Sequence, residues 1–511
     1  MFCFLGLCVS AQKTDYQWLF GYDNYAASDT NFGGVTMDFD STYPILTRHI
    51  RIADMNECNA SYCNDSGRLL FYTNGGDIFD GRDSIMFNGD SINYGRQWHE
   101  DLIATNERYS GLRNIQGMLA LSAPGDSNKA YIIHCIDWLS DFQSGVSAFL
   151  VDTTFYSLID LKGNNGFGQV IKKNQVINND SLAYGYLSDV KHGNGRDWWI
   201  VHPYYINNCY YEFLLTDTGI GLTGVQCIGD SMFGYGDLGT SCFSPDGGKY
   251  FWVNSTDGIH MFDFDRCTGV LSNPQHIPFP IPGFGDSITP IAGIAVSPSN
   301  QYLYIVGNVM ILQYDLLASN IGVSADTVGV FDGTYDIYPQ NLNTFFLAQL
   351  GPDGKIYINS TNGTQTLHVI NRPDQKGDSC LFARHSFDLH TFNESSLPNF
   401  PNYRLDALQG SPCDTLSTMT TEVRSIKEKI LKVFPNPASD IVTVDYGFTD
   451  WNKGAVSLEI TDALGQLVYT QSLPMYSGYQ RLDVSRFASG LYNVAIKRSG
   501  AAVAVAKLVK E

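Results

Sequence analysis

The sequence predicts an all-β protein: a seven-bladed β-propeller followed by a small immunoglobulin-like β-sandwich. Aromatics make up 13% of the chain, with 30 Tyr and 30 Phe, whereas charged residues are only 16%; such a composition, rich also in Gly, favours strands and turns over long solvated helices. A turn-and-strand unit recurs with its prolines at positions 245, 298 and 352, a spacing of 53–54 residues. A separate stretch of period-two alternation occupies the last eighty or so residues.

The repeated unit has a plain physical logic. Ser244-Pro245-Asp246-Gly247-Gly248-Lys249 leads into Tyr250-Phe251-Trp252-Val253, Ser297-Pro298-Ser299-Asn300 into Tyr302-Leu303-Tyr304-Ile305-Val306, and Gly351-Pro352-Asp353-Gly354-Lys355 into Ile356-Tyr357-Ile358. Proline sets φ, Asp or Ser caps the turn, and Gly takes positive φ before a β-branched and aromatic strand begins. Second strands follow at 258–264, 310–315 and 366–370, making repeated hairpins. Weaker copies start at Asp65-Ser66-Gly67, Pro124-Gly125-Asp126 and Gly195-Arg196-Asp197. Six units are thus visible, and residues 12–415 divide into seven of about 58 residues, near the period of a four-stranded blade. A seventh blade assembled from both ends would close the ring. The first turn partly matches the Asp-box of sialidases at Ser244, Asp246 and Gly248, which is a structural turn and not a catalytic element.

The N-terminus, Met1 to Ala11, is an apolar run ending in Val9-Ser10-Ala11, a small-residue cleavage pattern. It is expected to be a signal peptide, although a basic n-region is missing. No other run approaches the length of a membrane helix, so no membrane span is expected. The net charge is −20, from 52 acidic against 32 basic residues. No basic cluster offers a nucleic-acid surface; the acidity reads as solubility outside the cell. Removing Cys3 and Cys8 leaves nine cysteines. Export permits disulfides, and Cys58 with Cys63, read as flanking a short loop, are the first expected pair. An odd total leaves at least one thiol free, or an intermolecular bond.

No catalytic, cofactor-binding or metal-binding residues are predicted. The G-x-S-x-G, H-E-x-x-H and P-loop patterns are absent in useful form, and the cysteine and histidine spacings fit no zinc pattern. The five Gly-Asp-Ser triplets read as turns. His134, His192, His202 and His260 lie in or beside strands and read first as packed core histidines. The aromatic run Trp198, Trp199, Tyr204, Tyr205, Tyr210 and Tyr211 reads as blade core before it reads as a sugar-stacking surface. The acidic loop 77–83 reads as turn chemistry before calcium.

Several stretches resemble a family of secreted propeller regions in Bacteroidetes surface and gliding-associated proteins: Gly33-Gly34-Val35-Thr36-Met37-Asp38-Phe39, Gly67-Arg68-Leu69-Leu70-Phe71-Tyr72-Thr73-Asn74-Gly75, Met86-Phe87-Asn88-Gly89-Asp90, Trp198-Trp199-Ile200-Val201-His202 and Leu397-Pro398-Asn399-Phe400. The likeness spans most of residues 20–405 and implies an exported propeller, without implying an activity.

Residues 416–432 are polar and charged and read as a linker. After them, Phe434, Pro435, Asn436 and Pro437 open residues 433–511, Gly490 and Tyr492 sit in a later strand, and Lys507, Leu508, Val509 and Lys510 close the chain. This pattern resembles the type A C-terminal sorting domain of the type IX secretion system. The resemblance implies the type IX secretion machinery as a partner, passage across the outer membrane, removal of the domain in the linker, and a cargo anchored at the surface or released. For the propeller, the expected function is binding an unknown glycan or surface protein, without cofactor. The alternative is a secreted carbohydrate-active enzyme, a lyase or glycosidase, with its site at the channel mouth.

Overall fold

The computed structural model describes residues 12–22, 30–103, 109–141, 147–205, 207–231, 239–254, 257–279, 293–336, 341–361, 363–414, 430–447, 456–473, 477–498 and 501–511. The expected signal peptide and most of the expected linker lie outside these residues.

Seven antiparallel meanders of consecutive strands follow one another along the chain, and the outer strand of the fourth, Gly219–Cys227, also pairs in parallel with the C-terminal strand Ser477–Asp483 at Gln226 and Tyr479. Blade one is Gln17–Gly21, Gly34–Asp38 and Ile45–His49; blade two is Ala60–Cys63, Leu69–Thr73 and Ile78–Asp80. Blades three to seven each carry at least four strands, with innermost strands Met118–Ser122, Ser188–Lys191, Gly239–Phe243, Gly293–Val296 and Ala348–Leu350. Strand-forming sequence explains the sheets; the turns explain their regularity. In the three strong repeats, the third turn residue after Ser or Gly has positive φ: Gly247 at 73°, Asn300 at 63° and Gly354 at 77°. Only Gly and, less readily, Asn take that region at small cost. Ser244 Oγ donates to Asp246 Oδ1 at 2.6 Å, and the Lys249 N–H donates back to Ser244 Oγ at 2.9 Å. These bonds satisfy the turn from within.

The core is not a single mass. Seven apolar clusters each join two consecutive blades. Phe251 and Ile259 of blade five meet Leu303 and Ile305 of blade six, for example. The last cluster closes the ring, with Trp18, Phe20 and Val35 of blade one packed on Tyr357, Leu367 and Val369 of blade seven. A ring made this way has no blade that buries both faces alone, so each depends on its neighbours. Blade one differs from the expectation of a blade shared by both chain ends. It is built of three N-terminal strands, and closure comes from side-chain packing and from bonds such as the Phe392 N–H to Asn31 O at 2.7 Å.

The cysteines also differ from the expectation. Disulfides join Cys209 to Cys227 and Cys267 to Cys413, while Cys58 and Cys63 are separate buried thiols. Residues between them form the strand Ala60–Cys63 and not a loop. An extended chain advances about 3.3 Å per residue, which carries five residues well past the roughly 7 Å Cα limit of a disulfide. Cys209 and Cys227 instead face each other directly across two paired strands.

The C-terminal residues form two sheets. One holds Ile430–Phe434, Ile441–Gly447 and Ser477–Asp483; the other holds Val456–Thr461, Leu467–Leu473, Gly490–Arg498 and Ala501–Lys510. Val442, Val444 and Leu482 from the first pack against Leu458, Ile460, Val494 and Ile496 from the second, the layered arrangement of an immunoglobulin-like sandwich. Its first strand begins at Ile430, inside the stretch read as linker.

Candidate functional site

The propeller axis is where the innermost strands converge, and in this chain it is occupied by the chain itself. After the last strand of blade seven, Phe382–Asn393, an irregular segment runs along the inner strands from their N-terminal ends to their C-terminal ends. Pro398 and Pro401 keep it out of any sheet, since neither can donate to a ladder. Its polar groups are answered by one blade after another. Asn59 Nδ2, entering blade two, donates to Ser396 Oγ at 2.6 Å. Asn399 Nδ2 donates to Leu187 O at 3.0 Å and Met118 O at 3.3 Å, at blades four and three. Asn402 Nδ2 donates to Pro245 O of blade five at 2.7 Å, and the Tyr403 hydroxyl donates to Ala120 O of blade three. Arg404 then grips Asp15 with both terminal nitrogens, at 2.6 and 2.8 Å. Beyond the axis, Arg266 donates to Asp406 O at 2.7 Å, and Cys413 is bonded to Cys267 of blade five.

This plug leaves a cavity of about 310 Å³ beside it, bounded by the inner strands of blades four to seven. That volume is at the lower end of small-ligand pockets. Its lining is mainly polar and includes Asp189, Gln349, Asn402, Arg404 and Ser244. Asp189 is 5% exposed and its Oδ2 has no hydrogen-bond partner among the described residues. Burial pushes its carboxyl well above the ordinary range, so it is held neutral. Two residues on, Lys191 lies on the same side of the strand; burial lowers its ammonium to about 8. Lys191 donates to Gln12 Oε1 at 3.0 Å and sits over the Trp198 ring at 5.4 Å. The cavity therefore combines a buried neutral acid with a carboxylate, Asp15, already committed to Arg404, and the softened lysine lies next to it in sequence without lining it.

Of the residues singled out in the sequence, the four histidines lie in the blades and do not line this cavity. His134 is fully buried between Asn93 and Ser157, at 2.6 and 2.9 Å. His202 meets Ala183 O at 2.7 Å. Trp198, Trp199, Tyr205, Tyr210 and Tyr211 are buried blade core. In the acidic loop, Asp80 pairs with Arg82 at 2.6 Å and Asp83 with Arg51 at 3.0 Å, while Asp77 accepts from the Ser91 N–H at 2.7 Å. Internal partners thus account for the acids. Sequence reasoning missed Asp189, Asn399 and Arg404. The one available signal was Leu397-Pro398-Asn399-Phe400-Pro401-Asn402, whose paired prolines argue against a strand where a blade would otherwise continue.

The C-terminal motif residues do come together. Asn436 Nδ2 donates to Lys507 O at 2.8 Å, and the Val509 N–H donates to Asn436 Oδ1 at 2.8 Å. The Ala438 N–H donates to Val509 O at 2.9 Å, and the Glu511 N–H to Ala438 O at 3.0 Å. Gly490 is the register partner of Lys510, and Tyr492 of Leu508. Leu508 and Tyr492 are buried, and the Tyr492 hydroxyl donates to Ala488 O at 2.7 Å. Phe434 stays half exposed. The opening Phe434-Pro435-Asn436-Pro437 and the closing strand are thus stitched into one end of the sandwich.

A family model for the secretion system C-terminal sorting domain matches residues 432–511. Residues 432–511 are a type IX secretion sorting domain. The chain is accordingly delivered by the type IX machinery to the cell surface or beyond it, and among the described residues no helix is long and apolar enough to cross a membrane. No curated protein matches the chain. Among solved structures, a candidate 6-phosphogluconolactonase from Bacteroides fragilis is 13% identical, with a TM-score of 0.41, covering 76% of this chain and 97% of that one. The Dos1 propeller is 10% identical, with a TM-score of 0.30, covering 64% and 83%. A glycoside hydrolase family 43 arabinoxylan arabinofuranohydrolase from Bacillus subtilis, in complex with cellotetraose, is 11% identical, with a TM-score of 0.27, covering 77% and 94%. Likenesses at these scores do not bear on activity.

Proposed function

We propose that the exported propeller is a binding module that displays its faces to a glycan or a protein partner outside the cell, and that it is not an enzyme. What supports this reading is the occupied axis. Residues 396–404 fill, with bonds to blades two, three, four and five, the place where a propeller has room for a deep reaction site. The remaining cavity has the size and polar lining to take one or two sugar units or a side chain from a partner. A binding screen of the purified protein against glycans and envelope proteins tests it. Retained ligand that is lost on Asp189→Asn supports the cavity as the contact point; no ligand in either set overturns the reading.

A second reading, a carbohydrate-active enzyme, is favoured by one observation. Asp189, kept neutral by burial, and Asp15 line the same cavity, and glycoside hydrolysis uses an acid and a carboxylate in such company. Against it, both oxygens of Asp15 are committed to Arg404. Polysaccharide cleavage abolished by Asp189→Asn would establish this second reading in place of the first.

A further inference from the structure

Blade five carries a group of side chains that neither the channel nor the sorting domain uses. His260, on strand Gly258–Phe264, and His276, on strand Leu271–Ile277, are direct cross-strand partners. Asp257 stands in the turn just before the first of these strands. His260 Nε2 lies 2.9 Å from Asp257 Oδ2. His276 Nε2 lies 2.9 Å from Asp257 O and 3.5 Å from Asp257 Oδ1. Both imidazoles therefore turn the same nitrogen to one carboxylate, and one donor atom from each of the three residues fits within 4.8 Å.

The surroundings hold the group in place. Trp252 stacks on His260 with centroids 3.7 Å apart and an interplanar angle of 5°. His276 stacks on the other face at 4.2 Å and 19°. His276 Nδ1 is 3.4 Å from Asp230 Oδ2, the outer carboxylate that typically fixes the tautomer of a ligating imidazole. His260 is buried, while the side chain of His276 is 27% exposed, which leaves a way in from solvent.

We propose that Asp257, His260 and His276 form a binding site for a divalent cation of the zinc class, with a fourth position open to solvent. Two imidazoles and a carboxylate are a donor set that zinc and its first-row neighbours accept, whereas calcium and magnesium prefer oxygen alone. Because the two rings lie face to face, the ion stands off the edge of the stack on the Asp257 side. Metal–nitrogen bonds of about 2.0–2.1 Å then require His276 to swing outward, while His260 is kept in place by Trp252. In the metal-free chain each Nε2 faces an oxygen of Asp257, which can only accept, and so carries the ring hydrogen; binding an ion through Nε2 moves that hydrogen to Nδ1, where for His276 Asp230 Oδ2 stands ready to accept it. The turn holding Asp257 lies at the end of the propeller where the inner strands begin, opposite the end where Ser244, Pro245 and Arg404 border the cavity. The site is therefore separate from the one discussed under Proposed function and stands or falls without it.

The test is calorimetric titration of the full, untagged chain with zinc chloride after chelator treatment and dialysis, with cobalt(II) absorption as a second readout. The expected result is one equivalent bound with micromolar affinity, a raised thermal midpoint, and the visible cobalt bands of four-coordinate nitrogen and oxygen ligation. His276→Ala and Asp257→Asn should each weaken zinc binding by at least about tenfold. His276→Ala should unfold at nearly the wild-type temperature in chelator, because that side chain is partly exposed. Absence of stoichiometric zinc binding by the wild-type chain overturns the proposal, as does zinc binding by His276→Ala at wild-type affinity.

Discussion

Replacing His134 should tilt the pH dependence of stability in a direction that replacing Asp189 reverses. His134 is fully buried, and burial lowers its imidazole to about 3. Asn93 Oδ1 can only accept, so Nδ1 carries the hydrogen, and Nε2 accepts from the Ser157 hydroxyl. A second ring proton would meet that hydroxyl, which already accepts from the Asn174 N–H at 3.2 Å. The folded ring thus stays neutral while the unfolded one titrates near 6.5. Its contribution is present above pH 6.5 and is lost as pH falls towards 3. Between pH 7 and pH 5 the loss is about 2 kcal/mol. His202, lowered to about 4, and His368, lowered to about 3, behave alike, making about 6 kcal/mol for the three. Asp189 and Glu212 act with the opposite sign. Burial raises both, so each folded carboxyl holds a proton that the unfolded chain releases, and its penalty grows as pH rises. The wild-type profile is a difference of these terms, and single variants separate them. Urea unfolding followed by tryptophan fluorescence at pH 5 and pH 7 is the assay. His134→Gln should lower stability at pH 7 but recover about 2 kcal/mol relative to wild type at pH 5. Asp189→Asn should gain relative to wild type at the higher pH. Profiles for wild type and His134→Gln that run parallel between these pH values would refute the reasoning.

Three further outcomes follow from packing. Gly247→Ala should lower the urea midpoint more than Gly354→Ala: both force positive φ on alanine at a cost of about 1 kcal/mol, but only at Gly247 does the new Cβ crowd its neighbours, at 2.7 Å from Val190 and 2.8 Å from Arg266, against 3.8 Å from Pro298 at Gly354. Cys413→Ser opens a loop of 146 residues and should cost about 4–5 kcal/mol by the loop-entropy relation, read as a lower thermal midpoint under oxidising conditions. Asn436→Ala removes both bonds between the opening motif and the last strand, destabilising the sorting domain by about 1–3 kcal/mol; surface display should fall, and should vanish when 433–511 are deleted.

The repeat was legible because its turns obey local rules. Pro245, Pro298 and Pro352 recur at blade spacing, and the residues that follow adopt the positive φ their chemistry allows. The sorting domain was legible for a different reason: its motif residues bond to one another, so their order in sequence reflects contacts across one small sandwich. The plug was not legible. Asn399 reads locally as a turn residue, and nothing near it in sequence reveals that Met118 and Leu187, more than 200 residues away, supply its carbonyl partners. Asp189 was hidden in the same way, since a single acid in a short strand gains meaning only when the axis closes around it. Cysteine pairing failed on a local assumption: Cys58 and Cys63 are near in sequence but separated by an extended strand, whereas Cys267 and Cys413 are distant in sequence and meet only after the chain has traversed the ring.

That last bond determines how traction passes through the molecule. The sorting domain is tethered to the propeller by the chain that follows Cys413, and Cys413 is covalently held to Cys267 in the turn after the third strand of blade five. A pull on the domain is therefore borne by the body of the ring before it reaches Arg404 or Asn399. The thread through the axis is thus not the sole covalent path for load that reaches Cys413, because the disulfide leads part of it into blade five. Reduction would move the load onto the hydrogen bonds of the plug, so an oxidising environment fixes which part of the protein feels the strain of being moved.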